Sequence, residues 1–176
     1  MSQMHKLLIV SDSHSLTTEL TDIYKRHNDA DAGVHCGDSE LGTDSVYLEN
    51  YTVVKGNCDI FSDFPEEEVL EIGGLTIFLT HGHLHRVKQN LMTIQYAAKE
   101  AEADVVLFGH THIATAEQED HQLFINPGSI HLPKQRPEPT YAVMSWSDST
   151  DIEVVFYETN GNEIRSFKTH HSFNLK

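Results

Sequence analysis

The stretch KLLIVSDSH, residues 6–14, decides the fold. Its first five residues form a short, mainly apolar run that predicts a strand, and its last four residues are polar and end that strand. Apolar residues then recur with helical spacing at Leu16, Leu20, Ile23 and Tyr24. The sequence therefore predicts a unit of strand, polar loop and helix, in which the loop carries an aspartate and a histidine.

The same order of strand and polar loop recurs along the first two thirds of the chain. Strands are predicted at 33–36, 51–54, 75–80 and 104–108, and the loops after them read GD, GNCD, HGH and GHTH. Gly73 and Gly74 connect a hairpin between 69–72 and 75–80, and residues 87–101 have the composition and spacing of a helix. Five strands thus end in polar loops.

The rest of the chain is rich in β-structure and poor in helix. Alternating segments predict strands at 114–119, 122–125, 141–146, 152–157 and 164–168. A βαβ-type first half and an antiparallel second half, with no repeat or low-complexity linker between them, predict two sheets packed face to face with helices outside.

Length and composition favour a single soluble domain spanning residues 1–176. The formal charge of -15, from 12 Lys+Arg against 27 Asp+Glu, opposes binding of a long nucleic acid. Cys36 and Cys58 do not form a redox or zinc-ribbon pair, and the sequence shows neither a signal-peptide pattern nor an apolar stretch that could span a bilayer. We expect a cytoplasmic protein without a membrane partner.

Seven polar side chains follow the predicted strands, where each strand ends: Asp12, His14, Asp38, Asn57, His81, His110 and His112. In open α/β sheets, ligands bind outside the carboxyl ends of the strands. Imidazole nitrogens combined with carboxylate and amide oxygens suit Mn²⁺, Fe²⁺, Zn²⁺, Ni²⁺ or Mg²⁺ better than a structural zinc site rich in cysteine. Each motif alone is a weak signal, but the ordered set predicts a metal site.

These ordered motifs closely resemble those of the calcineurin-like metallophosphoesterases, in particular the small bacterial and archaeal phosphodiesterase branch. The resemblance covers nearly the whole chain. It implies a four-layer αββα sandwich in which helices flank two mixed β-sheets. It also implies two divalent metal ions, with Asp38 bridging both, and the other ligands divided between them: Asp12, His14 and His112 at the first, and Asn57, His81 and His110 at the second.

The resemblance further implies a phosphodiesterase that hydrolyses a small phosphate ester through a hydroxide bridging the two metals. We expect Mn²⁺ first, with Ni²⁺, Fe²⁺, Zn²⁺ or Mg²⁺ as alternatives. The expected catalytic residues are Asp38, which generates the hydroxide with the metals, and Asn57 and His83, which contact phosphate oxygens or orient the ligands. Cys58 stands where many family members have a histidine thought to protonate the leaving group, and we expect a buried thiol there.

Two other functions remain open at this point. The first is a non-catalytic scaffold resembling the retromer subunit of this fold, in which two of the motif ligands are replaced; this chain has His14 and Asn57 there, which favours metal binding. The second is a nuclease, against which the acidic balance counts. Lys134 and Arg136 are candidate contacts for phosphate. The sequence leaves open whether the chain forms a homo-oligomer.

Overall fold

The computed structural model describes residues 3–173, which form eleven strands and two α-helices. The first sheet contains β1 (His5–Val10), β2 (Ala32–His35), β3 (Thr52–Val53), β9 (Thr140–Trp146), β10 (Ile152–Glu158) and β11 (Thr169–His171). The second sheet contains β4 (Glu67–Ile72), β5 (Leu75–Thr80), β6 (Val105–Leu107), β7 (Thr115–Glu119) and β8 (Gln122–Asn126). The helices are α1 (Thr18–Arg26) and α2 (Met92–Glu100).

Both sheets are mixed, and each combines parallel and antiparallel pairs. The first has the order β11-β10-β9-β1-β2-β3, and β1, β2 and β3 are parallel neighbours. The second has the order β4-β5-β6-β8-β7, and β5, β6 and β8 are parallel neighbours. Because β9 pairs with β1, the two halves of the sequence do not correspond to the two sheets. The prediction of two mixed sheets is confirmed.

Three apolar clusters separate four layers. One cluster lies between the sheets and includes Ile9, Leu79 and Met144. Along β1 and β9 the alternate residues point the other way, and there α1 packs its buried face against the outside of the first sheet. In the same manner Ile94 of α2 packs with Phe124 on the outside of the second sheet. Each fully buried Leu or Ile contributes about 1.5–3 kcal/mol. The predicted αββα sandwich is confirmed.

Two predicted elements differ from the structure by more than two residues at a boundary. The helix predicted at 87–101 begins only at Met92, because the Asn90 side chain accepts a hydrogen bond from Met92 N and makes a turn there. The strand predicted at 164–168 is wrong. A short 3₁₀ turn occupies Arg165–Phe167, closed by a hydrogen bond from Phe167 N to Ile164 O, and the strand follows at Thr169–His171.

The extent of the domain stays a prediction, since residues 1–2 and 174–176 of the predicted range 1–176 lie outside the described residues. Among residues 3–173, no helix has the length and apolar character needed to cross a bilayer. The carboxyl ends of the parallel strands in both sheets lead into the loops that carry the predicted ligands. The site therefore lies where the two sheets meet at one edge of the sandwich.

Candidate metal centre

Hydrogen bonds between the loops continue the pairing of the strands that precede them. His14 N donates to Asp38 O at 3.0 Å, which joins the loops after β1 and β2. Gly109 N donates to His81 O at 3.0 Å, which joins the loops after β6 and β5. The predicted ligands are thus held in position by backbone bonds.

Five of the predicted ligand residues have a left-handed backbone: Asp12 (φ 53°), His14 (φ 41°), Asp38 (φ 59°), His110 (φ 69°) and His112 (φ 61°). Residues other than glycine rarely adopt this conformation, which costs about 1–3 kcal/mol each where it is strained. The surrounding hydrogen bonds hold these residues there. Such strain is concentrated at functional sites because it aims side chains at a common point.

The first cluster consists of Asp12, His14 and His112, whose nearest ligand atoms all lie within 4.8 Å of one another. Nε2 of His112 is 3.1 Å from Oδ1 of Asp12. Nε2 of His14 is 3.4 Å from Nε2 of His112 and 3.9 Å from the same Asp12 oxygen. Two imidazole nitrogens and one carboxylate oxygen therefore face one small volume.

The second cluster consists of Asp38, Asn57, His81 and His110. Ligand atoms of Asp38, His81 and His110 lie within 4.8 Å of one another. Nε2 of His81 is 3.2 Å from Oδ2 of Asp38 and 3.1 Å from Oδ1 of Asn57. The same nitrogen is 3.9 Å from Oδ1 of Asp12, which places the two clusters side by side. The structure thus brings together all seven residues that the sequence singles out.

Three of the histidines direct Nε2 inward because Nδ1 is bonded on the outside. Nδ1 of His81 bonds to the Cys36 carbonyl at 2.7 Å, and Nδ1 of His112 bonds to the Leu132 carbonyl at 2.7 Å. Nδ1 of His14 is 3.1 Å from the Glu40 carboxylate. A bond at one ring nitrogen fixes the tautomer and leaves the other nitrogen as an acceptor for a metal.

The Asp12 carboxylate supplies the strongest indication of a cation. Its Oδ2 accepts hydrogen bonds from Ser11 Oγ at 2.5 Å and from His110 N at 3.1 Å. Its Oδ1 is buried and has no hydrogen-bond partner within residues 3–173, and the imidazole nitrogen Nε2 of His112 lies 3.1 Å from it. A buried carboxylate oxygen without a partner is costly. A divalent cation between the clusters would satisfy it, so the residues fit a metal.

The pKa values in the site follow from burial and from the pairing of the aspartates with histidines. Burial acts to raise the pKa of Asp12, but His112 and His81 hold it below its ordinary value. Asp12 in turn raises the pKa of His112. Burial lowers the pKa of His110 to about 4, helped by the charge of His81. His110 is therefore neutral at physiological pH, as a metal ligand must be.

Two glycines leave room for the aspartates. A Cβ atom at Gly56 would overlap the carboxylate of Asp38, and a Cβ atom at Gly109 would overlap Ser11 Oγ and the carboxylate of Asp12. Neither glycine has a positive φ. Their role is to permit the close approach of backbone and carboxylate.

His83, predicted to contact phosphate, lies beside the second cluster. Its ring centroid is 5.4 Å from that of His81 and 6.1 Å from that of His110. Burial, followed by the charge of His81, lowers the pKa of His83. Its Nδ1 is buried without a partner among the described residues.

The prediction of a buried Cys58 is wrong. Its side chain is only partly buried, and its sulfur lies within 4.8 Å of ligand atoms of His14 and Asp38. Cys58 N donates to Oδ1 of Asp38 at 2.8 Å, so the backbone bond of this residue orients the aspartate. Burial, followed by the charge of Asp38, raises the pKa of the thiol to about 11.

Sequence reasoning did not assign the role of several residues that hold the ligand loops. The buried Asp59 accepts hydrogen bonds from the backbone N–H groups of Asp38, Glu40 and Gly56, each at 2.8 Å. The sequence offered a signal for Asp59, because it is the last residue of the GNCD motif. Ser129 Oγ donates to the Asp12 carbonyl at 2.7 Å across 117 positions of sequence, and no local pattern predicts that contact.

The buried His35 also joins two ligand loops, while the side chain of Arg136 pairs with Glu138. Nδ1 of His35 accepts from Gly37 N at 3.0 Å, and its Nε2 is 2.8 Å from Ser13 Oγ. The guanidinium of Arg136 instead donates to Glu138 at 2.8 Å and lies over the ring of Phe167. The prediction that Arg136 contacts phosphate is therefore not supported by its position.

A family model described as the calcineurin-like phosphoesterase superfamily domain matches residues 5–149, which include every residue of both clusters. The chain belongs to this superfamily. Membership implies divalent metal ions, and the clustered histidines and aspartates are the candidate groups to hold them. The resemblance seen in the motifs is thereby confirmed.

Relatives of known name or structure agree with the superfamily assignment. The chain is 48% identical over 163 residues to the probable metallophosphoesterase YsnB of Bacillus subtilis, covering 92% of this chain and 96% of the relative. A crystal structure of a predicted phosphoesterase from Streptococcus pneumoniae has a TM-score of 0.93 and 34% identity, covering 98% of this chain and 99% of the other. These similarities support a phosphoesterase.

A third structure is similar in fold alone. Vacuolar protein sorting 29 from Cryptosporidium parvum has a TM-score of 0.76 at 18% identity, covering 96% of this chain and 98% of that one. At this level of identity the likeness extends to the αββα sandwich and not to the activity.

Proposed function

We propose that the protein is a cytoplasmic phosphodiesterase that uses two divalent metal ions, Mn²⁺ first, to hydrolyse a small phosphate ester. The observation behind the proposal is the buried, unpartnered Oδ1 of Asp12, which lies 3.9 Å from the nearest nitrogens of His14 and His81. One anionic oxygen between two sets of imidazoles supports a pair of cations. We propose that the single domain extends over residues 1–176.

The residues divide into two roles under this proposal. All seven residues of the two clusters act as metal ligands, and Asp38 lies between the clusters because its ligand atoms are close both to His14 and to His81. When bound, the metal ions supply Lewis-acid activation of water and of the phosphoryl group. Asn57 is exposed and His83 is partly buried beside the second cluster, so both are available to phosphate oxygens.

A diester fits the surroundings better than a monoester. Glu40 and Asp59 lie beside the clusters and add to a strongly acidic protein with a formal charge of -15. A phosphate diester carries a single negative charge, whereas a monoester carries close to two at neutral pH, so the monoester meets more repulsion from these two carboxylates. Arg136, a candidate to offset that charge, is committed to Glu138.

The test is hydrolysis by metal-stripped protein supplied in turn with Mn²⁺, Ni²⁺, Mg²⁺ and Zn²⁺. Bis(p-nitrophenyl) phosphate is compared with p-nitrophenyl phosphate, and Asp38→Asn is the matched variant because it removes the charge at nearly constant volume. We expect metal-dependent turnover that favours the diester and is abolished in Asp38→Asn. Full activity in Asp38→Asn would refute the proposed role of this aspartate.

The same assay separates the enzyme from the scaffold alternative. Binding of metal without turnover of either ester would favour a non-catalytic interaction protein. Preference for the monoester would retain the phosphoesterase and reject the diesterase. Light scattering on the same samples would establish whether the chain is a homo-oligomer.

A further inference from the structure

A cavity opens directly beside the two clusters. Its volume is about 380 Å³, within the usual range for small-molecule sites of about 300–1,000 Å³. Cys58 belongs to the lining of this cavity, and its sulfur lies within 4.8 Å of ligand atoms of His14 and Asp38. A phosphate held at the clusters would therefore have one of its substituents at the mouth of the cavity.

The outer wall of the cavity is apolar and exposed. Phe61 and Ile60 line it together with Leu41. The Phe61 residue is 98% exposed and Ile60 is 71% exposed, so neither adds much to the core. Two large apolar residues side by side in water are unfavourable unless something covers them. The flat face of Phe61 is available to a flat, apolar partner.

The loop that carries this wall is fixed to the ligand loops. Asp59 precedes Ile60 and holds the backbone N–H groups of Asp38 and Gly56, while Ser62 Oγ donates to the Asp59 carbonyl at 3.1 Å. The loop is thus anchored on both sides of the two apolar residues. A preformed surface of this kind binds without the cost of ordering a loop.

The charges around the cavity restrict what enters it. Glu40 and Asp59 are part of the lining, and the described lining includes no Lys or Arg. A second phosphate or a carboxylate on the substrate would face these acidic residues without a compensating cation. The lining therefore excludes an anionic group, and the exposed face of Phe61 favours an aromatic one.

We propose that this cavity is a specificity subsite for one ester group of the substrate, and that the group is a neutral aromatic ring stacked on Phe61. The inference rests on the proposed function, since it places phosphate at the metal clusters. It narrows the substrate class to phosphate esters of an uncharged aryl or nucleoside alcohol, without a second anionic group on that side.

The experiment measures binding rather than turnover, by calorimetric titration of the full chain loaded with Mn²⁺. Phenylphosphonate and methylphosphonate present the same phosphoryl oxygens and differ in the ring. A stacked ring should give phenylphosphonate an advantage of about tenfold in Kd. Phe61→Ala should reduce that ratio to about twofold and leave methylphosphonate unchanged, and Phe61→Trp should retain the ratio. Ile60→Ala removes the other large apolar side chain of the wall and leaves Phe61 in place, so it tests the wall separately from the ring.

Tyr96→Ala is the matched control, because Tyr96 is a 63% exposed aromatic residue on α2 outside the cavity lining. Equal binding of the two phosphonates, or a ratio that Phe61→Ala leaves intact, would overturn the subsite, as would failure of both phosphonates to bind. A phenyl preference that depends on Phe61 in a protein without turnover would uphold the subsite and reject the proposed hydrolysis.

Discussion

The two clusters of the candidate metal centre are held in different ways. In the second cluster, His81 is completely buried and its ring is fixed by the backbone carbonyl of Cys36 at 2.7 Å. In the first, His14 is fixed by the carboxylate of Glu40, whose side chain is 38% exposed. The fold itself therefore orients the second cluster, whereas a surface side chain orients part of the first.

Each of the two aspartates lies close to histidines of both clusters. Oδ1 of Asp12 is 3.9 Å from Nε2 of both His14 and His81. Asp38 has ligand atoms close to His14 and to His81. Because each aspartate faces both clusters, loss of a carboxylate should affect the whole centre, while loss of an outer partner should affect one half.

The largest effect is expected for Asp12→Asn. The asparagine oxygen would accept the bonds from Ser11 and His110 N, and the amide NH₂ would replace the unpartnered Oδ1. We expect kcat/KM for the diester to fall by more than about 100-fold, because the charge at the centre is lost. The metal-free protein should lose some stability at neutral pH, because burial acts to raise the pKa of Asp12 but His112 and His81 outweigh it, so the charged carboxylate is stabilised in the folded state.

The measurements are steady-state kinetics and the shift in Tm on adding Mn²⁺. The wild-type protein and Asp22→Asn, a change at an exposed position on α1, should both gain Tm with metal. Asp12→Asn should gain little. A full metal-induced gain in Asp12→Asn would show that this carboxylate does not serve the two clusters.

A second, smaller effect concerns His35, which joins the loops of both clusters through Ser13 and Gly37. Burial lowers the pKa of His35 to about 4 from an ordinary value of 6.5. Below pH 6.5 the unfolded chain binds a proton that the folded protein excludes. The stability from this group is therefore complete above about pH 6.5 and is lost as the pH falls toward about 4. The loss amounts to about 3 kcal/mol.

The comparison is between the free energies of unfolding of metal-free wild type and of His35→Asn, measured with urea across this pH range. Asparagine retains an acceptor for Gly37 N but does not titrate. Its curve should be lower at neutral pH and flatter on acidification. His110, whose pKa is also lowered to about 4, is present in both proteins and cancels. If the free energies of unfolding of the two proteins changed in parallel with pH, His35 would not be the source of the pH dependence.

The sequence predicted which residues lie together at the candidate site, because each of them follows a strand and parallel strands end at one edge. The two sheets were predicted from apolar runs that alternate with turns along the chain, and above all from the resemblance of the motifs to a family with this fold. The start of α2 was misplaced, because the Asn90 turn competes with helical spacing that extends from Val87.

Contacts across the sequence explain what could not be predicted. The unpartnered oxygen of Asp12 depends on where His112 lies, and the Ser129 bond joins residues 117 positions apart. The exposure of Phe61 depends on the loop fixed by Asp59, and composition alone favours a buried phenylalanine. Long-range packing sets each of these features.

The smallest effect, and the sharpest test of the comparison between the clusters, is expected for Glu40→Ala. The variant removes the acceptor for Nδ1 of His14. The affinity for one metal ion should fall by about 10- to 100-fold, the usual effect of losing such a partner, and the affinity for the other ion should stay unchanged. Calorimetric titration of stripped protein with Mn²⁺ would resolve the two affinities. Glu40→Gln should recover part of the loss because its amide oxygen still accepts the bond, and Glu117→Ala, an exposed glutamate on β7, should change neither affinity. An equal loss of affinity for both ions would mean that the clusters act as one rigid unit and that the Glu40 side chain orients both clusters.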